Sequence, residues 1–164
     1  HLTAPFKILR AAQPHIKRLF LEEKENGITN FRKVVNISST SGMFGNAGQI
    51  NYATAKAGVV GMAKTMAKEW GRYNVNVNAV GFGLIKTRLT DADAEKEESL
   101  IDIEGNKIKV GVNSAVFQSA KTMIPLGRPG TPQEAAGAIY MFCIPESNYV
   151  TGQILMCHGG GFGY

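Results

Sequence analysis

Tyr52 and Lys56 stand four residues apart, and Ser39 precedes the tyrosine by thirteen. On a helix, residues at i and i+4 lie one above the other on the same face. The lysine ammonium can then stabilise a phenolate and make the phenol a better acid. The pair reads as a proton-transfer site. A Tyr-x-x-x-Lys spacing alone is weak, because Tyr and Lys are common enough for it to arise by chance. Its setting gives it weight: a Ser-rich stretch, Ser38-Ser39-Thr40-Ser41, comes before it, and Gly42, Gly45 and Gly48 punctuate the interval. A Gly81-Phe82-Gly83 exit follows the next apolar run.

The elements that must position these residues can be read from periodicity. Phe6, Leu9, Ile16, Leu19 and Phe20 recur at helical spacing from Leu2 to about Glu25, with Pro14 as the point where that helix can bend. Val34, Val35 and Ile37 form a short β-branched run that opens into the serines, a buried strand ending in a loop. Residues 51–70 predict a helix closed by Gly71. On it Ala53, Ala57 and Gly61 make a small-residue stripe fit for close approach of another helix, while Lys64, Lys68 and Arg72 stay wet. Val75-Asn-Val-Asn-Ala-Val80 alternates as a strand, and a long excursion follows in which Gly105-Asn106 predicts a small hairpin. Thr131-Pro132-Gln133-Glu134 is a capping box with Pro at the first helical position, so a helix should run to about Phe142 and stop before Pro145. Gln153 to Cys157 is the last strand.

That order predicts an α/β fold of parallel β/α units with helices on both faces of the sheet. Only three sheet strands can be counted, which leaves an open edge beside Val34 to Ile37 and calls for further strands. The chain begins without Met inside a helical pattern, which reads as a piece of a longer protein.

Length and composition bound the rest. The chain of 164 residues suits one domain with a real core. Its net charge of +5 is spread along the sequence rather than gathered in blocks, which argues against nucleic acid as a partner. Cys143 and Cys157 are too few for a disulfide framework and fit a reducing cytoplasm. No apolar run reaches the roughly 18 residues that span a bilayer, so no membrane partner is expected. Asp91, Asp93, Glu95, Glu97 and Glu98 lack convergent histidines and read as a solvated helix face, and His15 and His158 as surface or packing residues. No metal is expected. Gly159-Gly-Gly-Phe-Gly163 closes the chain with no helix behind it to receive a phosphate, so it reads as a turn.

The segments His1-Leu-Thr-Ala-Pro-Phe, Asn36-Ile-Ser-Ser, Gly45-Asn-Ala-Gly-Gln-Ile-Asn-Tyr-Ala-Thr-Ala-Lys-Ala-Gly, Val75-Asn-Val-Asn-Ala-Val, Ile124-Pro-Leu-Gly-Arg and Thr151-Gly-Gln-Ile-Leu together resemble the C-terminal part of a short-chain dehydrogenase/reductase. Within that family they lie nearest the 3-oxoacyl-thioester reductase branch. The resemblance implies a Rossmann-type doubly wound parallel sheet lacking its N-terminal strands. Residues 1–164 would be a single partial dinucleotide-binding domain, with a lid-like excursion at about 84–124. The family's glycine-rich pyrophosphate turn and its Asn-Asn-Ala-Gly segment do not occur in this chain.

Carried over position by position, the resemblance makes Tyr52 the acid that protonates the substrate oxygen as hydride arrives from NADP or NAD. Ser39 would hydrogen-bond that oxygen, and Lys56 would hold the nicotinamide ribose and lower the phenol pKa. Gly83, Ile85 and Thr87 match positions that meet the nicotinamide half, although Phe82 stands where relatives carry Pro. His1 stands where the family has an Asn that holds a relay water through its carbonyl. The implied substrate is a small-molecule ketone or acyl thioester, and the implied assembly a homodimer or homotetramer. A non-enzymatic alternative is a truncated assembly module without a working cofactor site. A hydrolase built on Ser39 ranks below both, because no Gly-x-Ser-x-Gly turn presents that serine.

Overall fold

The computed structural model describes residues 1–87, 100–103, 105–109, 119 and 122–161. Its elements are α1 (Thr3–Glu25), β1 (Arg32–Ser39), α2 (Thr40–Phe44), α3 (Ile50–Trp70), β2 (Val75–Phe82), β3 (Leu100–Ile103), β4 (Asn106–Lys109), α4 (Pro132–Tyr140) and β5 (Ile154–Cys157). β1, β2 and β5 form a parallel sheet in the order β1-β2-β5, and β3 and β4 pair separately as the antiparallel hairpin predicted around Gly105.

β2 is the centre of the fold because successive side chains point to opposite faces and both faces are covered. Val75, Val77 and Ala79 turn toward Ala63, Met66, Ala67 and Trp70 of α3. Val80 turns the other way, onto Ala138 of α4 and Phe142. Val75 and Val77 are almost wholly buried, and each such side chain contributes about 1.5–3 kcal/mol of transfer free energy. Asn76 and Asn78 point to the α4 side and are buried as well. Asn78 Nδ2 donates to Val150 O at 3.0 Å, and its Oδ1 accepts from Gln153 N at 2.9 Å. Asn76 Nδ2 donates to Asn148 O and its Oδ1 accepts from Lys33 Nζ, both at 3.0 Å.

α4 begins as the sequence predicts. Thr131 accepts from Glu134 N, Glu134 accepts from Thr131 N, and Pro132 occupies the first turn. α1 is held more loosely. No residue of it is buried: Leu9 and Ile16 lean on the α3–β2 core, while Phe6, Ile8 and Leu21 face outward, exposed. An apolar groove of about 790 Å³ separates α1 from α3, lined by Leu2, Phe6, Leu9, Met62, Met66 and Trp70 among others. Close approaches to α3 occur at Gly58 against Leu2 and at Lys56 and the stripe residue Ala57 against Gly42, while Gly61 has open space around it. β1 is an edge of the described sheet. Its Ile37 is exposed, and the buried Asn36 Nδ2 has no hydrogen-bond partner among the described residues.

Candidate active site at the carboxyl end of the sheet

Parallel strands deliver their last residues to one side of the sheet, which in open α/β sheets is where ligands bind. Here Ser39, Phe82 and Cys157 stand in register across β1, β2 and β5 at that side. Ser39 is buried and caps α2, its Oγ accepting from Ser41 N at 3.2 Å. Tyr52 lies in the first turn of α3, half-buried, where the positive end of the helix dipole favours negative charge; its own N–H donates to Asn51 Oδ1 at 2.8 Å.

Lys56 follows one turn later, its Nζ 5.7 Å from the centre of the Tyr52 ring. The ammonium donates to Ile37 O at 2.8 Å, two residues before Ser39. Burial lowers the Lys56 pKa from the ordinary lysine value. His1 packs edge-on against Tyr52, ring centres 4.9 Å apart. The Tyr52 hydroxyl makes no hydrogen bond among the described residues, to Ser39 or otherwise. The structure thus joins Lys56 to Tyr52 directly and to the end of β1 through Ile37, and it places Ser39 on that same strand end.

Gly83 leaves β2 in close contact with β5. Its N donates to Cys157 O at 3.0 Å, and a Cβ there would stand 2.7 Å from His158 Cβ and 3.0 Å from His158 Cα. Ile85 forms a parallel bridge with Gly130, just ahead of α4, and Thr87 is exposed. All three therefore line the path that leaves β2 on the side of Ser39. Gly159–Gly161 make the expected turn: Gly160 N donates to His158 Nδ1 at 3.1 Å, and Gly159 O accepts from Leu126 N at 3.2 Å.

Sequence reasoning passed over three residues that shape this region: Ser38, Gly42 and His158. Ser38 and Gly42 carried a signal in the Ser-Ser-x-x-Gly pattern at a strand end. His158 had none, since only the packing of β5 beside β2 brings it to Gly83. Asp91, Asp93, Glu95, Glu97 and Glu98 lie outside the described residues, as does most of the 84–124 excursion. No helix among the described residues is long and apolar enough to cross a membrane.

Comparison with known proteins gives the chain's family. The family model described as enoyl-(acyl carrier protein) reductase matches residues 2–161. A 3-oxoacyl-(acyl-carrier-protein) reductase of Thermotoga maritima is 42% identical over 127 residues, 77% of this chain and 44% of that protein. A 3-oxoacyl-(acyl-carrier-protein) reductase of Synechocystis sp. is 35% identical over 161 residues, 98% of this chain and 52% of its own length. The solved structure of 4-hydroxyisoleucine dehydrogenase complexed with NADH and succinate superposes with a TM-score of 0.70 at 25% identity, over 97% of this chain and 54% of that one. The chain spans about half the length of the curated relatives it matches. Its parallel sheet and a family match across nearly its whole length make the chain a member of the short-chain dehydrogenase/reductase family of oxidoreductases.

Proposed function

We propose that this chain carries the proton-transfer half of an NAD(P)-dependent oxidoreductase that interconverts a ketone and a secondary alcohol, with a 3-oxoacyl thioester as the substrate class. The observation that carries the reading is the Lys56 ammonium 5.7 Å from the Tyr52 ring at the carboxyl end of the sheet. In it, Tyr52 gives its proton to the carbonyl oxygen, and the phenolate left behind is stabilised by the Lys56 charge and by the start of α3. Ser39 steadies the same oxygen with its hydroxyl. The nicotinamide cofactor supplies the hydride.

The residues present suit the nicotinamide half of such a cofactor. Lys56 offers an ammonium, Thr87 an exposed hydroxyl, and Gly83 and Ile85 line the exit of β2. The family's glycine-rich pyrophosphate turn does not occur in this chain, so the reading assigns these residues the nicotinamide half alone. The cofactor class is the nicotinamide dinucleotides, NADP or NAD.

The test is NADPH or NADH oxidation with a short 3-oxoacyl thioester. Tyr52→Phe should lower kcat by about 10²–10⁴-fold, the usual worth of a positioned general acid, with cofactor affinity within about twofold. Turnover retained by the Phe variant would overturn the role of Tyr52.

A second reading draws on the open groove between α1 and α3 and on the exposed Ala57 and Gly61 beside it. In it, the piece acts as an assembly module of a homodimer or homotetramer, without a working cofactor site. Sedimentation showing a stable oligomer, together with no change in nicotinamide fluorescence on adding NADPH or NADH, would favour that reading.

A further inference from the structure

Three contacts from one short segment converge on Lys56. Its Nζ donates to Ile37 O at 2.8 Å, and its own carbonyl oxygen accepts from Ser38 Oγ at 2.8 Å. The backbone of Gly42 presses on the same peptide group. A Cβ at Gly42 would stand 2.7 Å from the Lys56 carbonyl carbon, 2.7 Å from Lys56 Cβ and 2.8 Å from Ala57 N. Ser38 is 2% exposed, so its hydroxyl is committed to this bond. Ser39 sits in the middle of the segment, between the two contacts that grip α3.

We propose that Ser38 and Gly42 are positioning residues that clamp the Lys56 turn of α3 to the end of β1, setting the ammonium against Tyr52 and keeping Ser39 in step with it. The inference rests on the oxidoreductase reading for its purpose, but the clamp itself is a matter of geometry. A methyl group at Gly42 must push backbone from backbone, because the nearest atoms are α3 main-chain atoms and the Lys56 Cβ fixed to them rather than the end of a flexible side chain. Loss of the Ser38 hydroxyl removes one tie and adds no atom.

The test uses the 164-residue chain and reads the nuclear Overhauser contact between the Lys56 methylenes and the Tyr52 ring by NMR. Losing the Ser38 hydrogen bond should shift the ratio of seated to displaced Lys56 by about fivefold toward the displaced form, so the contact should weaken in Ser38→Ala, and the methyl group of Gly42→Ala should weaken it by pushing α3 away. Contacts between β1 and β2 should persist, and Ser38→Thr, which keeps the hydroxyl, should retain the contact. If Gly42→Ala fails to fold, Ser38→Ala with its Thr partner carries the test. An unchanged Lys56–Tyr52 contact in folded Ser38→Ala overturns the clamp. The NMR readout needs no turnover, and thioester reduction by the unmutated chain is scored separately, so failure of the clamp and failure of the enzymatic reading are distinguishable. Where turnover is measured, the clamp variants should lose kcat with KM for the ketone unchanged, as expected when only the transition state feels the change.

Discussion

Replacing Asn78 by Ala removes a side chain that is 1% exposed and holds β2 to the segment leading into β5. Its carboxamide makes two hydrogen bonds, donating to Val150 O at 3.0 Å and accepting from Gln153 N at 2.9 Å. The alanine protein loses both and leaves a buried carbonyl and a buried N–H to find other partners. With about 1 kcal/mol net for each bond and a further penalty for each stranded group, the loss comes to about 2–4 kcal/mol. For a chain of this size that is a fall in Tm of about 5–15 °C. The assay is urea unfolding of the two proteins followed by Trp70 fluorescence, with a thermal melt alongside. Asn78→Asp gives a sharper check. At neutral pH it buries a carboxylate that cannot donate to Val150 O, so it should cost at least as much as Ala. On acidification the carboxylic acid regains a donor, and part of the loss should return. A loss below about 0.5 kcal/mol for Asn78→Ala would refute the claim that this carboxamide is a working tie rather than a tolerated passenger.

Other consequences follow from the same structure. Gly83→Ala would force the exits of β2 and β5 apart against the His158 backbone, and the expected cost is about 1–3 kcal/mol, with weaker cofactor binding if Gly83 meets the nicotinamide half. A stable, tightly binding alanine variant would contradict this. Hydrogen bonds from Arg128 and from the Thr131 backbone lower the Glu134 carboxyl from 4.5 to about 2 in the folded chain. Because the folded value lies below the unfolded one, the stabilisation is complete above about pH 4.5 and is lost as pH falls toward about 2. An NMR titration of Glu134 with a midpoint near the ordinary glutamate value would refute the pairing. Arg128→Ala should raise that midpoint, since it removes the largest cause of the shift.

Most of the helices and strands were legible because their signals are local, whereas α2 (Thr40–Phe44) stands where a loop was expected. The β-branched run before Ser39, the apolar spacing of residues 51–70, and the Thr131 to Glu134 capping box each act within a few residues, where periodicity and capping operate. The Tyr52 and Lys56 pairing was legible for the same reason, since helix geometry alone sets residues four apart on one face. The carry-over from the family added Ser39, Gly83, Ile85 and Thr87, which the strand order then brought to one side of the sheet.

What the sequence determined by itself was therefore the longer elements and the chemistry that a tyrosine and a lysine one turn apart can perform. Only the tertiary structure decided which neighbours fix that pair. In β2 the alternation of Val with Asn reads as a strand and says nothing of its partners, whereas Asn76 and Asn78 are buried and bonded to the 148–153 segment. Gly42 reads as one loop glycine among several until it is seen against the backbone of Lys56, and His158 as a surface or packing residue until β5 sets it against Gly83. The physical reason is the same in each case. Periodicity records which side of an element is apolar, whereas close approach and hydrogen-bond partnership depend on what a distant part of the chain places there.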